Sequence, residues 1–172
     1  MKTIWKGILC LWILCSCSSD SSDEEASILE PNFKFEISGA INTTMSGNGI
    51  VYNETTTQAV NANGDDVNIT TILVIAQDRG SDNHIVFGVT LEGSKVGTGD
   101  YAIGTDILKF YNAFMNFSGD RGKTISYQSA SGSINFDSRL LYTTGTVDVN
   151  CPGVGGGGTV TVKGSFQAEN VN

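Results

Sequence analysis

The sequence predicts an all-β chain, an antiparallel β-sandwich or barrel-like domain of about nine to ten strands. Three observations predict it. Apolar and polar residues alternate along most of the chain after residue 30, the period of a half-buried strand. The 172 residues include 21 Gly and only 2 Pro, a balance that suits strands joined by tight turns. No stretch of eleven or more residues carries a clean 3.6-residue period with helix caps.

The elements follow in chain order. "FKFEISG" (33–39) sets Phe33, Phe35 and Ile37 on one face and Lys34 and Glu36 on the other. "VNITTILVIAQ" (67–77) alternates at first and is then continuously apolar, as expected of a central strand. "HIVFGVTLE" (84–92) carries Ile85, Phe87, Val89 and Leu91 on one side, and "DRGSDN" before it reads as a hairpin loop. "GDYAIG" and "ILKFYNAFMNF" follow; the second sets Leu108, Phe110, Asn112, Phe114 and Asn116 against Lys109, Tyr111, Ala113, Met115 and Phe117. "GDRGK" (119–123) reads as a turn. "TISYQ" and "SGSINFD" form one expected pair, and "GTVDVN" and "TVTVKGSFQA" another, joined by "CPGVGGGG". In the last strand Val160, Val162, Gly164, Phe166 and Ala168 share a face. All eight Phe lie beyond residue 30, and about 140 residues suffice for one self-standing core.

The N-terminus reads differently. Lys2 and Lys6 precede an apolar run from Gly7 to Cys15, and small residues follow, the three-part layout of an export signal. The run is about half of the roughly 20 residues that a spanning helix needs. Leu14-Cys15-Ser16-Cys17 resembles the bacterial lipobox. That resemblance implies cleavage after Ser16 and acylation of Cys17. Cys15 and Cys10 fit worse, because Leu14 or Leu9 would take the small-residue position. An ordinary cleaved signal with incidental cysteines is the alternative.

"SSDSSDEEAS" then forms a polar, acidic stretch that cannot bury surface and is expected to act as a tether. It is similar to the Ser-and-acid signal that follows the lipidated Cys in surface lipoproteins of Bacteroidota. The organisation expected is a signal over 1–16, lipidated Cys17 and tether over 17–30, and one β domain over 31–172. The body resembles the small β-rich lipoproteins of the same bacteria, with "SGSINFD" and "VKGSFQAEN", and within them Gly164 and Phe166, carrying the likeness. The resemblance implies a fold and an outer-membrane location facing the cell surface. It implies no catalytic residue.

Charge narrows the partners. The formal net charge is -8, and without Lys2 and Lys6 it is 18 acids against 8 bases, or -10. Nucleic acid would be repelled by such a domain. The expected partners are the membrane, through the lipid, and an envelope protein or a glycan.

Candidate chemistry is sparse, and no motif calls for a cofactor. Cys151 is the one thiol of the body and falls in what reads as a loop tip; its only His, His84, opens a strand and reads as a half-exposed edge residue. Asp65, Asp66, Asp78, Asp82, Asp100 and Asp106 read as turn residues, with no pair placed on one cleft wall as a glycosidase requires. Asn61, Asn63, Asp65 and Asp66 around Gly64 offer hard oxygen ligands of the kind Ca²⁺ takes, though without the twelfth-position Glu of an EF-hand; an Asn-Gly turn is the simpler reading. "GVGGGG" lacks the Lys-Ser/Thr of a phosphate loop. Both Trp, at 5 and 12, lie in the signal, so a sugar platform falls to Tyr52, Tyr101, Tyr111, Tyr127 or Tyr142. The expectation is a lipid-anchored, non-catalytic binding or structural domain. A carbohydrate- or small-ligand-binding module is the first alternative, and a small envelope hydrolase the second.

Overall fold

A computed structural model describes residues 30–80, 83–104, 112–118 and 125–170. Cys17, the signal, the tether up to residue 29, Tyr111, Asp82, Asp106, the "GDRGK" turn and the first half of "ILKFYNAFMNF" lie outside the described residues.

The chain is all-β, in eleven strands among those residues. They are β1 (Asn32–Gly39), β2 (Thr43–Gly47), β3 (Ile50–Val60), β4 (Asp66–Gln77), β5 (His84–Glu92) and β6 (Gly99–Ala102), then β7 (Asn112–Ser118), β8 (Ser126–Gln128), β9 (Ser131–Arg139), β10 (Tyr142–Pro152) and β11 (Thr159–Glu169). One sheet runs β2-β1-β11-β10-β9-β6 and the other β3-β4-β5-β7-β8, with every ladder antiparallel. The described strands fall into two separate sheets packed as a sandwich, touching through single bridges at Ile103–Ala113 and Tyr127–Gly153.

Alternation places the core as expected. Phe33, Phe35 and Ile37 on β1, Ile85, Phe87 and Val89 on β5, Ala113, Met115 and Phe117 on β7, and Val160, Val162, Phe166 and Ala168 on β11 are all buried. Four aromatic rings tie the sheets together. Phe87 of β5 meets Phe35 edge-on at 5.8 Å between centroids and Phe166 at 4.8 Å, and Phe166 meets Phe136 at 5.9 Å. Two polar side chains buried with the core are satisfied: Thr70 donates to the Gly93 carbonyl at 2.7 Å, and Thr143 to Asn170 Oδ1 at 2.6 Å.

Two strands exceed what alternation marks. In β2 only Met45 is buried, and in β3 only Ile50 and Tyr52 among eleven residues. Both are sheet edges, so neither needs a continuous apolar face. β4 is interior to its sheet, as its apolar run predicts, but its outer face is not covered: Ile75 is exposed and Leu73 half-buried.

Cys151 corrects the sequence reading. It lies within β10, fully buried on the face that carries Val147 and Val149, because alternation continues past Asn150 before the loop begins. Burial pushes its thiol up to about 12. In the folded chain it should therefore resist thiol reagents at neutral pH. With Cys10, Cys15 and Cys17 changed to Ser, we expect no labelling by a disulfide reagent at pH 8 until denaturant unfolds the protein. Then one thiol reacts. Burial of the protonated thiol also fixes the sign of the pH dependence. Its contribution is fully present below the unfolded value of 9.0 and is lost as pH rises toward 12.

Candidate functional site

A polar recess of about 310 Å³ opens where β3 of one sheet faces the β9–β10 corner of the other. Tyr52 and Glu54 line it from β3, Lys95, Gly97 and Thr98 from the β5–β6 connection, and Arg139, Leu140 and Asn170 from the opposite sheet's end.

Its centre is a three-residue network across the sandwich. Arg139 Nη2 donates to Glu54 Oε2 at 2.6 Å and to the Tyr52 hydroxyl at 2.7 Å. That hydroxyl donates in turn to Glu54 Oε2 at 2.8 Å. The pair is partly sheltered, with 14% of the Arg139 side chain and 30% of the Glu54 side chain exposed. Burial, and then the hydrogen bond to Glu54, raise the Tyr52 pKa above its ordinary value, while Arg139 opposes them. Tyr52 therefore stays a neutral donor at physiological pH. Arg139 Nε is buried with no acceptor among the described residues.

Local structure explains how these groups meet. On β3 the inward parity that buries Ile50 and Tyr52 falls next on Glu54. On β9 parity alone would turn Arg139 outward, since Ile134 and Phe136 face the core. The ladder slips between Thr144 and Gly145: Phe136 pairs with Gly145, but Ser138 pairs with Thr144 and Arg139 with buried Thr143. Asp137 is the extra residue. This bulge re-aims Arg139 into the sandwich, a known use of bulges. A bulge leaves no mark in the hydropathy pattern, so Arg139 carries no signal in the sequence.

The residues singled out by sequence scatter. Of the tyrosines, Tyr52 is in the recess, and Tyr101 lies near it, donating to the Gly97 carbonyl at 3.0 Å and packing on Phe136. Tyr127 is buried in the core beside Phe117, and Tyr142 is half-buried at the start of β10. They do not share one platform.

Asn61, Asn63, Asp65 and Asp66 lie at the β3–β4 hairpin. There Asn61 Oδ1 accepts the backbone N–H groups of Asn63 at 2.9 Å and Asp65 at 3.0 Å. That oxygen closes an Asx turn. Among the described residues no group of three or more His, Cys, Asp or Glu could hold a metal ion. His84 is half-buried but opens β5, the middle strand of its sheet, and not an edge. Asp100 lies in strand β6 and accepts from Asn135 Nδ2 at 2.9 Å, where a turn was expected. The glycine loop after β10 is tied back by Gly153 N–H to the Gly158 carbonyl and by Val154 N–H to the Ser126 carbonyl, each at 2.8 Å.

No protein family, curated protein or solved structure matches the chain.

Proposed function

We propose that this chain is an outer-membrane lipoprotein, anchored through Cys17 and facing the cell surface, whose β-sandwich binds a partner and catalyses nothing. The lipobox resemblance and the acidic stretch behind it support the anchor. The recess supports the binding role. It falls within the roughly 300–1,000 Å³ range of ligand sites and draws a guanidinium, a carboxylate and a phenol from both sheets to one point. Among the described residues its one lining carboxylate, Glu54, is held by Arg139 and Tyr52, whereas a glycosidase sets two acids across a gap. The one described thiol, Cys151, is buried in β10 away from the recess lining. A carbohydrate or similar polar small molecule is the occupant favoured by this lining of charged and hydroxyl groups.

Two measurements test the reading. Mass spectrometry of the mature N-terminus should find an acylated Cys17 as the first residue; an unmodified Cys17, or a chain starting at Ser18, rejects the anchor. The full chain should bind one or more envelope glycans in an array. Arg139→Met should weaken that binding roughly ten- to hundredfold, the effect of losing a hydrogen bond from a charged donor. Binding that ignores the substitution rejects the recess.

A further inference from the structure

The β9–β10 hairpin turns through Leu140 and Leu141, and both are displayed to solvent, 83% and 81% exposed. Two-residue hairpin turns ordinarily take Asn, Asp or Gly. Two leucines there gain nothing from local conformation, and although Leu140 borders the recess, both side chains stay largely in solvent. The turn is nonetheless held firmly. Asn170 donates its backbone N–H to the Leu141 carbonyl at 3.0 Å and its side-chain amide to the Leu140 carbonyl, and its Oδ1 accepts from buried Thr143. The scaffold therefore fixes the backbone and leaves the two apolar side chains outward. A breach of local turn chemistry with a dedicated clamp marks a functional position.

The direction of the tip says what meets it. β10 and β11 pair Tyr142 with Glu169, and β11 and β1 pair Gln167 with Asn32, so the tip and the start of β1 lie at the same end of the sandwich. Gln167 Nε2 further holds the Glu30 carbonyl at 2.7 Å. Two strand spacings separate β10 from β1, which puts the chain's entry about 10–15 Å from the leucines. Thirteen residues join Cys17 to Glu30, a reach of at most about 45 Å. The lipid therefore pulls on the end of the domain that carries the apolar tip. Arg139 lies at the base of the turn and Lys95 across the recess, two cations beside it on an otherwise acidic protein.

We propose that Leu140 and Leu141 insert into the bilayer interface beside the lipid anchor and set the domain's orientation on the membrane. The inference rests on Cys17 acylation for the direction of the pull. The occupant is a phospholipid surface, which accepts apolar side chains at the level of the acyl boundary. With a domain this acidic the contact is driven by the leucines and not by attraction to anionic lipid.

The test uses the full chain with Trp5 and Trp12 changed to Phe and a single reporter, Leu141→Trp, reconstituted in phosphatidylcholine vesicles. We expect tryptophan emission to shift to the blue and to be quenched by lipids brominated in their acyl chains. Leu140→Trp should behave alike. Emission typical of water, unquenched by the brominated lipids, overturns the proposal, including the case in which the tip docks on a protein. The N-terminal mass is read on the same sample. An unacylated Cys17 rejects the anchor by itself, while the reporter, with that protein added to vesicles, still decides the tip.

Discussion

Phe87→Ala is expected to lower the unfolding free energy by about 4 kcal/mol, within the range for a buried Phe cut to Ala. Phe87 is fully buried in the middle strand of its sheet. It is also the ring from the β5 side that meets Phe35 and Phe166 of the other sheet. Truncation removes both edge-on contacts and leaves a hollow at the interface of the two sheets. Neighbours on fixed strands cannot collapse far into it. An outer-face control separates this from mere loss of a ring. Phe114 on β7 is half-buried on the opposite side of the same sheet, so Phe114→Ala should cost about 1 kcal/mol or less. Urea denaturation reads both. Similar midpoint shifts for the two variants would mean that the core does not hinge on Phe87.

The core was legible because a strand with one buried face repeats every second residue. Phe33, Phe35 and Ile37, or Val160, Val162 and Phe166, can be read off the page for that reason. The recess was not legible, and the cause is local geometry. Tyr52 is visible as an aromatic residue, but its partner Arg139 is turned inward by a bulge that no composition or spacing announces. Glu54 belongs to no motif of the sequence, and only Arg139 from the other sheet makes it half of an ion pair. Cys151 failed for another reason. Pro152 and the glycines behind it look like a loop, and they pull the apparent strand end two residues too early, to Asn150. Leu140 and Leu141 are the reverse case. Apolar residues are expected inside, so a hairpin tip made of them is visible only once the turn is placed.

The second large effect concerns a glycine. Gly164→Ala should destabilise by about 3 kcal/mol or more, at the top of the range for overpacking, because what it strikes is backbone. Gly164 faces inward on β11 and pairs with Phe35 on one side and Val147 on the other. A Cβ there would lie 1.9 Å from the Lys34 carbonyl oxygen and 2.8 Å from Phe35 Cα. Neither can swing aside as a long side chain could. Relief requires β1 to move away from β11, which loosens Phe35 from Phe87 as well. Gly145 on the neighbouring strand is in the same position, with a built Cβ 1.9 Å from the Asn135 carbonyl oxygen, so two adjacent central strands depend on bare backbone. Gly64 supplies the comparison. It sits at a hairpin turn with φ +89 and nothing within 4 Å of a built Cβ, so Gly64→Ala pays only the left-handed conformation, about 1 kcal/mol. If the two alanines cost the same in a denaturant titration, the close approach of β1 to β11 is not what requires glycine at 164.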